Sequence, residues 1–435
     1  MSNYIINGGR KLKGSITSNG SKNAAVALLH ATLLNYGTTT LINVPRIEEV
    51  FRIIEVLTSI GVDFKWAGKN KLVIKRPKKF SLKKINYQSA IKTRSVLFLF
   101  GALANFEKSF SIPQPGGCRL GSRTVMPHLF ALENFGIKIK TSSKYYDVNA
   151  SNLHPAANLV MYESGDTVTE NAIIAASLIT GKTVIKFASS NYMVQDLCYF
   201  LQALGVKIDG IGSTTLTIYG QSRLINKDIT YTITEDPIES MLFLSIAVVT
   251  NSSITIKRCP IDFLELELLK LEKMGFKYKI LKKYKAKNGF SNLVDIKTFP
   301  SRLKALTEKI YARPYPGLNI DNLPFFVPIA TQAKGSTFIF DWVYEERALY
   351  YVELNKLGTN VRLIDSHRVY VDGPTKLKAA EIICPPSLRN STIILVAMLA
   401  AKGQSLLRNI YSIERGYEDL TNRLSTIGAD LRKID

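Results

Sequence analysis

One short pattern occurs six times along this chain of 435 residues and sets most of what it can fold into. The pattern is L-x-x-h-G-x-x-h, where h is apolar or aromatic. Its copies are LTSIGVDFK (57–65), LENFGIKIK (132–140), LQALGVKID (201–209), LEKMGFKYK (271–279), LNKLGTNVR (354–362) and LSTIGADLR (424–432). In each copy the leucine and the first h position share a helix face, the glycine suits a left-handed helix cap, and alternation predicts a following strand.

A second element precedes each copy by about 20 residues, in a repeat of about 70 residues. It reads GTTTLINVP (37–45), EKSFSIPQP (107–115), GKTVIKFAS (181–189), NSSITIKRC (251–259), GSTFIFDWV (335–343) and GQSLLRNIY (403–411). These segments predict strands entered after apolar helices such as AVALLHATLL (25–34) and IIAASLIT (173–180). Each repeat therefore carries helices and strands, and it cannot bury both of its faces alone.

Six such repeats in two groups of three predict an α/β protein with two domains of similar build. The charged tract INKDITYTITED (225–236) is interpreted as the crossover between them. A solenoid is the alternative, but a repeat of about 70 residues exceeds the usual solenoid unit, which favours two closed domains.

Composition places the chain among ordinary globular proteins, with 46% apolar residues. The longest apolar runs, SVLFLFGALA (95–104) and SMLFLSIAVV (240–249), are too short to span a bilayer, and the first residues lack the apolar core of a signal peptide. We expect a cytoplasmic, soluble protein without a membrane partner. Neither the four cysteines nor the histidines show metal-ligand spacing, so no metal or cofactor is expected.

The formal net charge of +22 has two interpretations. One is an anionic partner such as nucleic acid, a membrane surface or phosphorylated metabolites. The other is a lysine-rich background, because clusters such as RPKKF (76–80) and KKYKAK (282–287) are typical of solvated turns. The second interpretation is favoured for the lysine runs, and no nucleic-acid partner is expected.

The loop PQPGGCRLGSR (113–123) has the composition of a reactive cysteine beside an anion site. Its glycines give the backbone freedom, and the arginines around Cys118, including Arg123, favour a thiolate. His128 is either a partner of that cysteine or, more simply, a histidine on a helix face. Near the N-terminus, Lys22 and Asn23 are predicted at a helix start, where backbone N–H groups favour an anion.

Four further residues stand at the starts of helices or in strand–helix junctions: Arg94, Asp321, Arg389 and Arg415. Each alone is more typical of a surface charge, a cap or a turn. Their recurrence at such junctions favours a shared function. The acidic pair Asp236 and Glu239 is explained by capping of a helix start.

Five motifs together resemble the enolpyruvyl transferases, specifically those acting on UDP-N-acetylglucosamine in peptidoglycan precursor synthesis. They are GSKNAA (20–25), PGGCRLGSR (115–123), TENA (169–172), YPGLNID (315–321) and ERGYEDL (414–420), and the resemblance covers essentially the whole chain. It implies two inside-out α/β domains of three repeats each, with the active site in the interdomain cleft. The implied domains are 22–230, and 1–21 with 231–435.

The resemblance also implies roles for individual residues in catalysis. Cys118 would protonate or capture the methylene carbon of phosphoenolpyruvate, and Asp321 would accept the proton of the attacking sugar 3′-hydroxyl. Catalytic roles are also implied for Lys22 and Arg415, and the phosphoenolpyruvate site is implied at Lys22, Asn23, Arg123, Arg389 and Arg415. Fosfomycin, an epoxide, would alkylate Cys118.

The nucleotide sugar is assigned by the same resemblance to residues of several segments: Arg94, Arg123, Thr124, Val125, Met126, Pro127, Gly165, Asp166, Asp321 and Val343. Here the chain departs from the family's pattern. Thr124, Val125 and Met126 replace a usual Pro-x-Asp, acidic Glu163 and Asp166 stand where small or basic residues are common, Ser387 replaces an acid and Pro237 an arginine. The phosphoenolpyruvate side is intact, while the acceptor side is altered.

Three alternatives follow from these departures. An enolpyruvyl transferase acting on a different nucleotide or nucleotide sugar would account for the altered acceptor segments. A non-catalytic paralogue could bind nucleotide sugars or nucleic acid through its charge. Against it stands the joint retention of five residues: Cys118, Lys22, Arg123, Asp321 and Arg415. The shikimate-pathway relative is disfavoured because it is not expected to carry the PGGC loop. The sequence leaves the oligomeric state open.

Overall fold

The computed structural model describes residues 2–116, 124–221 and 225–434. Cys118 and Arg123 of the expected site therefore lie outside the described residues. The chain forms two compact units. Unit A contains the described residues from 20 to 234, and unit B contains 2–19 and 235–434.

The described residues form 24 strands, whose bounds follow in chain order. The first thirteen are β1 Asn3–Gly8, β2 Lys13–Thr17, β3 Thr39–Ile42, β4 Asp63–Trp66, β5 Lys71–Lys75, β6 Ser109–Pro113, β7 Lys138–Thr141, β8 Tyr145–Asn149, β9 Leu159–Val160, β10 Gly181–Lys186, β11 Lys207–Asp209, β12 Thr215–Gly220 and β13 Ile229–Thr232. The others are β14 Ser253–Pro260, β15 Lys277–Lys285, β16 Asn292–Phe299, β17 Leu303–Lys304, β18 Ile310–Tyr311, β19 Ala333–Phe340, β20 Asn360–Leu363, β21 Arg368–Gly373, β22 Glu381–Ile383, β23 Gly403–Arg408 and β24 Asp430–Ile434.

Helices of two kinds connect the strands. The α-helices are α1 Lys22–Ala31, α2 Glu48–Ser59, α3 Tyr87–Ala90, α4 Leu99–Ala104, α5 Met126–Glu133, α6 Asp166–Ala176, α7 Tyr192–Ala203, α8 Pro237–Val249, α9 Glu265–Lys273, α10 Phe326–Ala330, α11 Leu388–Ala400, α12 Tyr411–Glu414 and α13 Leu420–Ser425. The 3-10 helices are Thr32–Leu34, Leu82–Lys84, Arg94–Phe98, Ile261–Phe263, Leu323–Phe325 and Ala348–Leu357.

All six predicted helix-to-strand junctions are present. The junction glycines have φ between 78° and 104°, the left-handed region where a side chain is strained, and they are Gly61, Gly136, Gly205, Gly275, Gly358 and Gly428. An α-helix ends just before the glycine in five copies, and a strand begins just after it in all six. The fifth copy differs, because its helix Ala348–Leu357 is a 3-10 helix.

Each repeat builds one sheet. The strand orders are β13-β3-β5-β4, β6-β8-β7 and β11-β12-β10-β9 in unit A, and β15-β16-β14-β2, β17-β19-β21-β20 and β22-β23-β1-β24 in unit B. In every sheet the strand after the junction glycine lies at one edge. A parallel strand covers the opposite edge in all sheets except β6-β8-β7, as far as the described residues go.

Strands distant in sequence complete three of these sheets. The tract 225–236, interpreted above as a crossover alone, contains β13, which pairs in parallel with β3. Tyr231 and Thr232 of β13 are both buried, which explains why part of this charged tract forms a strand. In unit B, β2 takes the parallel position beside β14, and β1 lies between β23 and β24.

The core of each unit consists of helices. We call α1, α4 and α6 of unit A and α8, α10 and α11 of unit B the inner helices. All thirteen residues of α8 and eleven of the thirteen in α11 are buried. Strands such as β5 and β12 alternate buried with more exposed residues, so the sheets have one face toward the helices and one toward solvent. The predicted inside-out α/β build is confirmed.

Part of the positive charge lies at sheet edges. Each of the six edge strands that follow a junction glycine carries exposed lysine or arginine, at Lys65, Lys138, Lys207, Lys279, Arg362 and Arg432. Charge on an exposed edge opposes pairing with another chain. These basic residues therefore have a structural explanation. Among the described residues, no helix is both long and apolar enough to cross a membrane.

Replacing a junction glycine by a residue with a side chain should strain the backbone and lower stability. At Gly205 and Gly428 an added Cβ would meet no atom within 4 Å, so the cost of alanine there comes from the backbone alone. We expect Gly428→Ala and Gly205→Ala each to lower the free energy of unfolding by ~1–2 kcal/mol, measured by urea denaturation. Gly428→Asn, which tolerates positive φ better, is the matched control and should lose less. Equal stability of the wild type and both alanine variants would contradict this account.

Candidate active site

In unit A, Lys22 and Asn23 form the first turn of α1, as predicted. Ser21 caps this helix by accepting a hydrogen bond from the backbone N–H of Ala24 at 3.2 Å. The next eight residues are buried, which fixes the helix, while Lys22 and Asn23 stay partly exposed. The Lys22 Nζ donates to the Asn23 side-chain oxygen at 3.2 Å. A cation and an amide thus stand at a helix N-terminus, which favours an anion.

Gly20 explains how the chain reaches this position. A Cβ at Gly20 would lie 1.8 Å from the carbonyl oxygen of Asn43, so no other residue fits without moving the backbone. The side chain of Asn43 donates in turn to the carbonyl of Ile233 at 3.0 Å. The loop before α1 therefore packs its backbone closely against Asn43. This close approach explains why the GSKNAA motif begins with glycine.

Arg94 begins the 3-10 helix Arg94–Phe98 and contacts the segment expected to bind the nucleotide sugar. Its guanidinium donates to the carbonyl oxygen of Thr124 at 2.7 Å. The Thr124 hydroxyl accepts from the backbone N–H of Met126 at 3.1 Å, at the start of α5. Thr124 and Met126 are exposed and Val125 is partly exposed, whereas Pro127 is buried in the first turn.

Gly165 and Asp166 begin α6, with Gly165 as its N-cap. The Asp166 carboxylate accepts hydrogen bonds from the Ser189 hydroxyl at 2.6 Å and from the Asn191 amide at 3.2 Å. One of the two acids that depart from the family's pattern is thus bound by polar groups at the start of α7. These donors stabilise the negative charge of Asp166 and fix the position of its carboxylate.

Glu170, in the TENA motif, is buried one turn further along α6. Its Oε1 has no hydrogen-bond partner among the described residues. Burial raises the pKa of Glu170 well above its usual range, and the charges of Asp166 and Asp196 raise it further. His128 is also buried, 3.2 Å from the Asn171 amide through Nδ1, as expected for a histidine on a helix face.

In unit B, the expected base Asp321 lies between two arginines. One carboxylate oxygen accepts from Nη2 of Arg389 at 2.9 Å, and the other is 3.8 Å from Nη1 of Arg347. The backbone N–H of Asp321 donates to the Asn319 side chain at 2.8 Å, which shapes the turn. Asp321 itself is partly exposed, while both arginines are buried. The carboxylate is therefore anchored from the protein side and accessible from the other.

Arg389 lies in the first turn of α11 and is shared among several groups. Its Nη1 donates to the Tyr417 hydroxyl at 2.8 Å, and its Nε has no partner among the described residues. Burial alone would lower the pKa of Arg389, but Asp321 and Tyr417 together raise it above its ordinary value. The guanidinium thus stays charged inside the protein and has one donor unmet, which is unusual for a buried group.

Arg347 is supported from behind by an acid. Asp341 accepts from Nε and Nη2 of Arg347 at 2.6 and 2.7 Å, and the Tyr351 hydroxyl donates to the same carboxylate. The Asn390 amide donates to the Arg347 backbone carbonyl at 2.8 Å, linking this cluster to α11. The paired arrangement orients Arg347 toward Asp321, since a bidentate contact fixes the plane of the guanidinium.

The other expected residues of unit B occupy loops and a helix end. Val343 is partly exposed between β19 and the 3-10 helix Ala348–Leu357, four residues before Arg347. Arg415 is the C-cap of α12 and is partly exposed. Ser387 is the N-cap of α11 and donates to the Asn390 side chain at 2.9 Å, so the missing acid is replaced by a local polar contact.

Sequence reasoning missed Arg347 and Tyr417. Arg347 stands in the charged run YEERALY, which is typical of a solvated loop, and its burial depends on Asp341 six residues earlier. Tyr417 was visible within the ERGYEDL motif, but its contact with Arg389 bridges 28 residues of sequence. A buried arginine needs a buried acid as its partner. Which residues are buried together could be recognised only from the fold.

Asp236 caps α8 as predicted and is also part of this electrostatic cluster. Its carboxylate accepts from the backbone N–H groups of Ile238 and Glu239 at 2.8 and 3.3 Å. Burial raises the pKa of Asp236 to about 6, an effect that Arg389 partly offsets and Glu239 increases. Glu239 is held by Arg423 through two contacts of 2.6 and 2.9 Å.

This chain is similar in sequence to known proteins over nearly its whole length. A family model described as EPSP synthase (3-phosphoshikimate 1-carboxyvinyltransferase) matches residues 6–424. A UDP-N-acetylglucosamine 1-carboxyvinyltransferase of Bradyrhizobium diazoefficiens is 32% identical over 431 residues, covering 99% of this chain and 98% of the relative. A protein of the same description from Treponema denticola is 33% identical over 443 residues, covering 99% of both.

Two solved structures share the fold. The enolpyruvyl transferase NikO from Streptomyces tendae superposes with a TM-score of 0.87 at 22% identity, covering 100% of this chain and 99% of that one. An EPSP synthase from Acinetobacter baumannii gives a TM-score of 0.78 at 16% identity, covering 100% of both. At these identities the likeness establishes the fold.

The buried carboxyl of Asp236 predicts a pH dependence of stability. The pKa of Asp236 is raised in the folded protein from an ordinary 3.8 to about 6, so the folded state favours the protonated carboxyl. The stability that this group contributes is therefore full below pH 4 and is lost as the pH rises through 6. Asp236→Asn keeps a capping side chain but cannot titrate. We expect the free energy of unfolding of the wild type, relative to the variant, to fall by up to about 3 kcal/mol between pH 4 and 7. A constant difference across this range, by urea denaturation at each pH, would exclude the effect.

Proposed function

This chain belongs to the enolpyruvyl transferase family defined by EPSP synthase, and we propose that it is a UDP-N-acetylglucosamine 1-carboxyvinyltransferase. It transfers the enolpyruvyl group of phosphoenolpyruvate to the 3′-hydroxyl of UDP-N-acetylglucosamine and releases phosphate, the first committed step of peptidoglycan precursor synthesis. The observation that carries the proposal is identity of about a third, along essentially the full length of both chains, to relatives of that description. The two enolpyruvyl transferase domains are assigned to 22–230, and to 1–21 with 231–435.

The reaction proceeds by addition and elimination. A proton adds to the methylene carbon of phosphoenolpyruvate, and the sugar oxygen bonds to the neighbouring carbon while its own proton leaves. The tetrahedral intermediate then expels phosphate and loses a proton from the new methyl group, which restores the double bond. This sequence needs a proton donor, a proton acceptor and cations that stabilise the phosphate.

Asp321 is the proposed acceptor of the hydroxyl proton. Its support is geometric, because Arg389 and Arg347 contact the carboxylate from within the protein and leave it partly exposed. Two guanidinium groups fix the orientation of the carboxylate and favour its negative charge. Cys118 is the proposed proton donor to the methylene carbon.

The anionic groups of phosphoenolpyruvate require several cations. From unit A we assign Lys22 and Asn23, which stand at the N-terminus of α1. From unit B we assign Arg389, whose unmet Nε supports an anionic neighbour, and Arg415. Arg123 completes the set. Preorganised charge of this kind stabilises the phosphate as it leaves.

The acceptor nucleotide sugar is assigned to a different group of residues. In unit A these are Arg94, Arg123, Thr124, Val125, Met126, Pro127, Gly165 and Asp166, and in unit B they are Asp321 and Val343. The contact between Arg94 and Thr124 supports a common role for these two segments. The hydrogen bonds that Ser189 and Asn191 donate to Asp166 fix the position of its carboxylate at the start of α6.

Turnover tests the proposal directly. Phosphate release from phosphoenolpyruvate is measured with UDP-N-acetylglucosamine and, in parallel, with other nucleotides and nucleotide sugars. We expect release with UDP-N-acetylglucosamine, and Asp321→Asn should lower kcat by roughly 10²- to 10⁴-fold. Asp365→Asn, at a partly exposed position in the hairpin between β20 and β21, is the matched control and should keep full activity.

Two results would contradict this assignment. Release only with another acceptor would transfer the function to an enolpyruvyl transferase of different specificity. No release with any acceptor would leave a nucleotide-sugar-binding paralogue.

Full activity of Asp321→Asn, with an unchanged unfolding midpoint, would remove Asp321 from proton transfer.

Alkylation provides an independent test of Cys118. The other three cysteines are buried, and burial raises the pKa of Cys259 and of Cys384 to about 12 and that of Cys198 still further. Thiols of that kind react slowly, because the thiolate is the nucleophile. We expect fosfomycin to inactivate the enzyme with one adduct per chain, located by peptide mass spectrometry at Cys118. Cys118→Ser should remain unmodified, and an adduct on Cys198, Cys259 or Cys384 in the folded protein would contradict the account.

A further inference from the structure

Unit A exposes a compact group of apolar side chains that its own fold does not use. Tyr162 is 74% exposed and Phe130 is 37% exposed, and their ring centroids are 5.4 Å apart at an interplanar angle of 52°. Met126 and Val160, at 42% and 55% exposure, stand in the same two chain segments as the rings, and we call these four side chains the aromatic platform. A tyrosine so exposed contributes little to folding, so its contact with Phe130 calls for another explanation.

The platform is continuous because of the regular elements that carry it. Met126 and Phe130 are four residues apart on α5 and so share one helix face. Val160 ends β9, and Tyr162 follows it two residues later, with the buried Met161 between them. Contact between Phe130 and Tyr162 joins the two segments, so their rings present one apolar surface.

The platform adjoins the residues assigned to the acceptor. Arg94 donates to the carbonyl of Thr124, whose hydroxyl caps the N–H of Met126, the first residue of α5. Phe130 follows Met126 by one helical turn, a rise of about 6 Å. Arg94 therefore contacts the chain two residues before α5 begins, and the aromatic pair starts one turn into the same helix. A cation suited to phosphate and a surface suited to a base thus lie along one segment, in the order in which the phosphates and the base of a nucleotide follow each other.

We propose that Phe130 and Tyr162 bind the nucleobase of the acceptor nucleotide by stacking. The inference rests on the proposed function, since it identifies the ligand as the nucleotide part of the acceptor. Every base has an apolar face, and stacking on an aromatic side chain contributes in proportion to the ring area that is covered. Arg94 then lies where it can meet the phosphates, and the sugar extends away from the rings.

Stacking on an aromatic pair supplies binding energy without matching a particular hydrogen-bond pattern. The proposal therefore makes Tyr162 and Phe130 positioning residues for the acceptor, with no part in proton transfer.

The test measures UDP binding by titration calorimetry on the full chain, together with KM for both substrates. For Tyr162→Ala we expect UDP and UDP-N-acetylglucosamine to bind about 5- to 100-fold more weakly. The KM for phosphoenolpyruvate and the kcat should change less than about 2-fold, because stacking acts on the acceptor alone. Tyr162→Phe keeps the ring and should behave as the wild type. Phe299→Ala, a similarly exposed phenylalanine on β16, is the matched control and should have no effect.

The outcomes separate this inference from the proposed function. Turnover of the wild type with unchanged UDP affinity in Tyr162→Ala overturns the platform and leaves the function standing. Wild type that binds neither UDP nor UDP-N-acetylglucosamine overturns both. A loss in Tyr162→Phe equal to that in Tyr162→Ala would assign the effect to the hydroxyl and overturn stacking. A change of oligomeric state in Tyr162→Ala, by analytical ultracentrifugation and without loss of UDP affinity, would make the platform a contact between copies of the chain and overturn the inference.

Discussion

The constraint on which the molecule depends is that its inner helices are buried on nearly every side. A helix such as α8, with all thirteen residues buried, cannot lie at a surface and must be enclosed by other elements. One sheet covers one side, so three repeats must surround three inner helices before any of them is shielded. This explains why the repeat is not stable alone and why the units contain three copies each. The strands can then be short, because each needs to bury only one face.

Enclosure also determines where polar chemistry can occur, namely at the helix N-termini. Lys22, Asp166, Asp236 and Arg389 stand within the cap or first turn of α1, α6, α8 and α11. Arg94 begins the 3-10 helix that leads into α4, and Asp321 precedes the one that leads into α10. At these ends backbone N–H groups are unpaired within the helix, and the helix dipole favours negative charge. The repeated fold thus supplies six similar positions, and a different charged side chain occupies each of them.

Local chemistry was predictable from the sequence, and pairing over long distances was not. The junction glycines, the start of α1 and the capping role of Asp236 each depend on a few adjacent residues. In contrast, β13 pairs with β3 across 190 residues, and the contacts of Asp321 come from Arg347 and Arg389 in two different repeats. Those depend on which strands and helices meet, a property that local patterns do not encode. Tyr162 escaped notice for the opposite reason, because an exposed aromatic residue has no periodic pattern to reveal it.

The sixth sheet contains the first and the last strand of the described chain side by side. Asn3 of β1 lies opposite Ile434 of β24, and the two strands run antiparallel. A force applied to those two ends loads the hydrogen bonds of the pair in succession, since the ends meet at the same side of the ladder. β24, at the sheet edge, would peel away one bond at a time, followed by α13, while the interior of both units is still intact. The pairing of β1 with β24 is therefore mechanically weak along this direction. A force between the two ends would open this repeat before the others.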